Sequence, residues 1–429
     1  MKVITPSTID DSALTRTNIS EDDATEYNPS TTYDTGDTAM LAASNKWYEA
    51  LENGIIGVSP DSDPIKWLDR GATRPWRMFD AIIGSPTIGN AAIPEHTETG
   101  ISVDVTPANR FRALAAFGLD ASYVDVRVIT SSELASDLTS YVDQAAFLVD
   151  WTIGSGITFD AVNDKIDFSA SSGSANETVG ILVDDSVQPD YIVTFDATVS
   201  SGSIKVQLYD GTYVDQLTVA STGSYEVVVD RSLVTSNQLF FTGVSFTGSI
   251  ENISVRQLTY NETHFVGDDL SAPDWYNWYF EDIERSDTLA ITDMPLSSIG
   301  DVVRVNARKG STNATIGELV IGSISDLGIS IEGVSVGIKD YSRKEVDAFG
   351  NFIITQRRFA DIMSVDFIIS TQDNYYIKKI LTALRTTPAV WIAEETYKTT
   401  IIYGYYKSFD IIIAGEDVSD ASIEIEGLI

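Results

Sequence analysis

Punctuation is what most constrains the fold of this chain. Runs of about five to nine residues rich in Val, Ile, Thr, Tyr and Phe alternate with Gly, Asn, Asp, Ser and Pro. Tyr123 to Ile129 (YVDVRVI), Tyr191 to Val199 (YIVTFDATV), Val302 to Ala307 (VVRVNA) and Val365 to Ile369 (VDFII) are examples. Each is too short for a helix and rich in the residues that suit a pleated surface. Only two stretches carry helical spacing. Leu41 to Leu51 is short and reads partly as strand. In Asp373 to Arg385, Tyr376, Ile377, Ile380, Leu381 and Leu384 fall on one face, with Asp373 as N-cap and Pro388 beyond the end, which predicts a helix over 373–386. The expected class is all-β and multidomain, with one isolated helix.

Charge then narrows the partners. The chain carries 63 Asp plus Glu against 28 Lys plus Arg, a net −35. Such a field repels phosphate, so nucleic acid is excluded as a main partner, and an anionic membrane surface with it. Without cysteine there is no disulfide, zinc–thiolate site or thiol nucleophile. At 43% hydrophobic and 10% aromatic, the 429 residues can build real cores, about two to four domains by length. No apolar run reaches about 18 residues, so no membrane insertion is expected. The opening MKVITPSTIDDSAL lacks the apolar stretch of a secretory signal, which points to a chain made in the cytoplasm.

Composition shifts divide the chain. Residues 1–40 are polar and acidic and read as an extended arm or clasp. Residues 41–80 hold three of the seven tryptophans (Trp47, Trp67, Trp76) and read as a small three-stranded aromatic module. Residues 147–259 have only four basic residues, Lys165, Lys205, Arg231 and Arg256, in a monotonous strand–turn rhythm. Their flanks, strand-like 121–130 and the aromatic DWYNWYF after them, read as one interrupted domain. The expected plan is therefore a parent β-sandwich or barrel over 81–146 plus 260–340, an insertion at 147–259, and a C-terminal β domain over 341–429 with the helix. Between Asp301 and Asp361 basic residues concentrate: Arg304, Arg308, Lys309, Lys339, Arg343, Lys344, Arg357 and Arg358. On so acidic a chain, that is where contacts between unlike surfaces of neighbouring copies are expected.

Three resemblances follow from particular residues. Tyr33-Asp34-Thr35-Gly36-Asp37, Tyr48-Glu49-Ala50, Gly57, Pro60 and Trp67 resemble the small chitin-binding-type carbohydrate module, with its Y-x-x-G-D, Y-x-A, G-x-x-P and closing W. The resemblance implies aromatic rings offered to sugar rings, with Trp47, Tyr48 and Trp67 as the glycan-binding candidates. The following WLDRGATRPWRMFD is foreign to secreted chitinases and resembles a segment of bacteriophage tail proteins. In the insertion, the opening Trp151-Thr152-Ile153-Gly154-Ser155-Gly156 and the closing Phe246-Thr247-Gly248-Ser249-Ile250-Glu251-Asn252-Ile253-Ser254-Val255 resemble jelly-roll carbohydrate-binding-like domains inserted in phage tail and fibre proteins. Asp164, Asp167, Asp184, Asp185, Asp210 and Asp215 lie at its turns without the spacing of a calcium loop, so no metal is expected.

The third resemblance runs through most of the chain outside the insertion. Gly317-Glu318-Leu319-Val320-Ile321-Gly322, Asp340-Tyr341-Ser342-Arg343-Lys344-Glu345, Asp347-Ala348-Phe349-Gly350-Asn351, Gln356-Arg357-Arg358, Pro388-Ala389-Val390-Trp391-Ile392 and Tyr403-Gly404-Tyr405-Tyr406-Lys407 are similar to a tail-structure family of tailed bacteriophages. It implies a virion protein of the outer or distal tail, homo-oligomeric and in contact with other tail proteins, with a host glycan or receptor as a further partner. Arg343, Lys344, Arg357 and Arg358 are then the candidate assembly contacts. Enzyme motifs are missing: His96 and His264 have no serine elbow near them, and no phosphate loop, dinucleotide fingerprint or zinc motif occurs. No catalytic residue and no cofactor is expected. A non-viral carbohydrate-binding or adhesion protein, and last a glycan-cleaving tail enzyme, are the alternatives.

Overall fold

The computed structural model describes residues 1–93, 98–134, 138–177, 190–209, 212–229, 238–266, 287–310, 312–331, 333–346, 352–413, 415 and 417–428. It is an all-β, multidomain fold, 55% strand and 9% helical. The aromatic DWYNWYF, His96, Asp184, Asp185 and Asp210 lie outside the described residues.

The frame of the molecule is a ten-stranded antiparallel sheet drawn from both ends of the chain. At its centre Lys2–Pro6 pairs on one side with Glu318–Asp326 and on the other with Ala389–Ile392. Outward from Glu318–Asp326 come Ala113–Phe117 and Thr288–Ile291. In the other direction come Ile401–Ile412, Val418–Gly427 and Phe359–Ser370. This corrects the expectation of an extended arm or clasp over 1–40, whose first residues are a core strand. Val3 and Ile4 have no exposed surface, and because successive strand residues face opposite ways, they enter two different cores. The same sheet runs without a break across the expected division at 340/341, so the parent and C-terminal parts share one frame.

Part of a second, thirteen-stranded sheet packs on one half of the first. Thr99–Val105, Val302–Arg308 and Tyr123–Ile129 lie side by side and send Ile101, Val103, Val124, Val126, Val303 and Val305 inward. Leu114, Ala116, Leu319 and Ile321 meet them from the frame, which makes this half a β-sandwich. On the other half, Asn374–Ala383 packs Ile377, Leu381 and the following Leu384 beside the fully buried Trp391. The helix is shorter than 373–386. Tyr376, expected on its buried face, is 55% exposed, and Asp373 holds the N-cap position without a capping hydrogen bond. Leu41 to Leu51 is a turn of 3₁₀ helix and a strand, Lys46–Ala50. A helix that the strand rhythm hid, Gln144–Asp150, is capped by Asp143, which accepts the Ala146 N–H at 2.8 Å.

The insertion grows out of the second sheet along one strand. Leu239–Phe265 pairs with Tyr191–Tyr209 within the insertion, and its last residues pair with Tyr123–Ile129 of the sandwich. Tyr191–Tyr209 in turn pairs with Gly223–Val229 along its first half and Tyr213–Val219 along its second. Register shifts between Thr194/Asp196, Val199/Ser201 and Ser201/Ser203 bend this long ladder. The insertion therefore curls around a core of its own, built on Trp151, Phe168, Tyr191, Phe195, Phe241 and Phe246. Leu138 and Tyr141 belong to that core, so it begins before 147. At the junction Ile129, Ile192 and Leu258 form a shared cluster, with Val228 and Val302 packed against it.

Candidate functional site

The aromatic module is a three-stranded sheet of Thr38–Leu41, Lys46–Ala50 and Trp67–Ala72. A unit this small has no disulfide, so its rings must supply the core. Trp67 is 1% exposed and Tyr48 5% exposed, packed with Tyr33, Ala39, Ala50 and Ile55. Tyr33 meets Trp67 edge-on at 5.1 Å and stacks on Tyr27 at 5.7 Å, while the Trp67 indole donates to the Val58 carbonyl at 3.2 Å. The Y-x-x-G-D residues close a turn: the Asp34 N–H donates to Asp37 Oδ2 at 2.7 Å, and Gly36 adopts φ +92°. Tyr48 and Trp67 are thus core residues with no face for a sugar. Trp47, one residue along the strand, lies on the opposite side, half-buried, with the Arg70 guanidinium 5.6 Å above its ring.

The RPWRMF turn that follows is a joint. Met78 enters the sandwich core, Arg77 pairs with Asp23 at 2.5 Å, Arg74 pairs with Asp22 at 2.8 Å, and Thr73 donates to Glu21 at 2.5 Å. The acidic run of the expected arm is therefore consumed within its own chain. Between this joint and the 9–12 loop lies a cleft of about 560 Å³, lined among others by Asp10, Asp11, Asn45, Lys46, Trp76 and Asp80. Burial pushes the Asp80 carboxyl up to about 6.

In the insertion, Asp167 faces Lys165 at 3.2 Å and Asp215 faces Lys205 at 2.5 Å, while Asp164 occupies a left-handed turn position at φ +51°. Among the described residues, no group of three or more His, Asp or Glu side chains is placed to hold a metal ion. His264 shares one face of Leu239–Phe265 with Tyr260, whose hydroxyl lies 3.1 Å from its Nε2, and burial lowers the imidazole's pKa.

The basic residues between 301 and 361 fall into two sets, which the sequence could not separate. Arg304, Arg308, Lys309 and Lys339 are spent inside the molecule. Arg304 is 4% exposed and forks onto both oxygens of Asp104, at 2.8 and 2.9 Å. Its other edge meets Glu226, which stands on the insertion's Gly223–Val229 strand, so this ion pair clamps the insertion to the sandwich. Arg308 binds Asp125 at 3.0 Å and covers the Tyr123 ring at 4.6 Å, and Lys309 binds Asp120 at 2.5 Å. Lys339, with Lys407 and Tyr341, surrounds the Glu426 carboxylate. Hydrogen bonding, from Lys407 first, holds that group well below the usual range, at about 2.

The other set is the one singled out for assembly. Ser335–Asp340 runs back into Phe359–Ser370, and between them Arg343–Val346 and Phe352–Thr355 form a hairpin whose strands, among the described residues, pair only with each other. Arg343 and Lys344 are 60% and 64% exposed and hold only neighbours, Glu345 and Asp340. Arg357 is exposed, and its backbone N–H donates to Ser342 Oγ at 3.0 Å. Arg358, also exposed, lies against Gly84, where a Cβ would stand 3.1 Å from its guanidinium carbon. Arg343, Lys344 and Arg357 thus lie on or beside the hairpin, while Arg358 is turned back against the frame at Gly84. No protein-family model matches the chain, and no curated protein matches it.

Proposed function

We propose that the chain is a structural component of a bacteriophage tail, outer or distal and homo-oligomeric, made in the host cytoplasm and built to display its insertion and aromatic module. The observation that carries this reading is the continuous strand Leu239–Phe265, shared between the second sheet of the sandwich and the insertion. A strand of that length has a contour of roughly 90 Å. Together with the Arg304–Glu226 clamp it holds the inserted domain in a fixed direction, where a flexible linker would let it swing. Rigid presentation suits docking to other tail proteins and multivalent attachment better than it suits turnover of a substrate. The tail resemblance of the DYSRKE and QRR residues supports the same reading, since most of these residues lie on or beside the hairpin. Antibody-labelled electron microscopy of purified phage particles tests it. Label on the tail is the expected result, and particles that carry neither label nor the chain by mass spectrometry would overturn it.

A glycan partner is a second reading, and it moves to a new place. With Tyr48 and Trp67 buried, the cleft beside Trp76 is where an aromatic face meets carboxylate and amide groups, the combination that grips a sugar's C–H face and hydroxyls. A glycan array with the full chain and Trp76→Ala tests it. Binding lost in the variant supports the cleft, and binding unchanged, or a blank array, removes it.

A further inference from the structure

We infer that the rim formed by Ser335–Asp340 and the basic hairpin is a self-association surface that takes an acidic face of a second copy of this chain, head to tail. The inference rests on the oligomeric reading above and names its surface.

Three observations carry it. Every residue of Ser335–Asp340 is exposed, and the strand pairs on one side only among the described residues, so a row of backbone N–H and C=O groups is open. Val336, Ile338 and Phe359 are 45%, 65% and 53% exposed and line a cleft beside this edge, and Ile354 on the hairpin is 66% exposed. Natural edges are usually short, charged or covered; here the charges sit at one end, Lys339 and Asp340, and no described strand pairs along the outer side. The hairpin beyond it is a lone two-stranded ribbon, a form marginal in water unless something packs against it.

Charge selects what packs there. With Lys339 spent on Glu426, residues 340–358 hold four basic and three acidic residues, a net +1, which leaves −36 on the rest of the chain. A two-fold contact through this strip would set one net-positive strip against another, which like charge disfavours. A different, acidic surface suits the strip better, and the large negative remainder of a second copy supplies it. Such a contact is heterologous and closes into a ring or runs on as a filament. Ionic strength acts on it twice. At low salt the repulsion between chains of −35 opposes approach; near about 0.15 M, a Debye length of about 8 Å screens distant charges and spares contact pairs; near about 1 M the contact pairs weaken as well. Association should therefore peak at intermediate salt.

Sedimentation velocity of the full chain over a concentration series at these ionic strengths is the test, with Arg357→Glu, Ile338→Glu and, as a control of equal charge change elsewhere, the exposed Lys379→Glu. Thermal melts establish that each variant folds. The wild type should form species larger than monomer, most strongly at intermediate salt. Arg357→Glu and Ile338→Glu should each weaken association about tenfold or more, and Lys379→Glu should not. Rim variants that associate as the wild type does would overturn this surface and leave the oligomeric reading standing. A wild type that stays monomeric at every concentration and salt would overturn both.

Discussion

At the scale of single residues, the instructive groups are charged ones that the fold has taken out of water. Glu318 is 3% exposed, accepts the Ala81 N–H at 2.9 Å, and lies near Asp80 and Tyr403 where the joint, the sandwich and the C-terminal strands meet. Burial, and then the Asp80 charge, push its carboxyl up to about 8, so it is mostly protonated at neutral pH. A group raised in the folded state stabilises fully below its unfolded pKa and loses that contribution as pH rises through the folded one. Here the window runs from about 4.5 to about 8. Stability measured by urea unfolding should therefore fall across that window, by a few kcal/mol at most, and Glu318→Gln should flatten the slope. An unchanged slope would place the titration elsewhere. Arg304 gives the opposite case, a buried cation with partners on two domains. Arg304→Met leaves Asp104 its second partner, Arg16 at 2.9 Å, but strips Glu226 of Arg304. The expected loss is about 3–5 kcal/mol by denaturant titration, with part recovered when Glu226→Gln is added. A double variant no better than the single would mean that Glu226 is not the orphan.

At the scale of elements, what could be read from the sequence was whatever depends on near neighbours. The strand rhythm, the three-stranded module and the C-terminal helix rest on local periodicity, and the structure has each of them. The Lys2–Pro6 strand could not be read, because its partners lie more than 300 residues away and its five residues sit in a polar, acidic stretch. The basic residues were visible as a cluster, yet nothing local distinguishes the buried Arg304 from the exposed Arg357. That difference is made by Asp104 and Glu226 arriving from other strands. The aromatic module shows the same limit in miniature. The chitin-binding-type resemblance implied Trp47, Tyr48 and Trp67 as its rings, but which of the adjacent Trp47 and Tyr48 faces in is set by Tyr33 and Ile55. Trp67→Ala should cost about 3–5 kcal/mol of module stability, and Trp47→Ala, losing a half-buried ring and its Arg70 contact, about 1 kcal/mol. Tryptophan fluorescence during denaturation measures both, and equal losses would contradict the assignment of Trp67 to the core.

At the scale of the whole molecule, two kinds of connection coexist, and they should come apart under stress. The frame is closed by its first strand, with Val3 serving the core under the helix and Ile4 the core shared by Phe117, Val390 and Tyr403. Its halves therefore fold as one cooperative body. The insertion has a separate core from Leu138 to Val255 and meets the sandwich's second sheet through contacts that include the shared strand, the Ile129–Ile192–Leu258 cluster and the Arg304–Glu226 pair. Ile4→Asp places an unpaired carboxylate at a fully buried position, a change expected to unfold the frame or nearly so. Because the insertion's aromatic core shares no residue with that site, its methyl and aromatic NMR signals should persist in the variant, and a fragment covering 138–259 should show the same dispersed spectrum. Calorimetry of the wild type should resolve two transitions on this account. If Ile4→Asp abolishes the insertion's signals too, and the fragment is disordered, then the long strand transmits the frame's stability into the insertion and the two are a single folding unit.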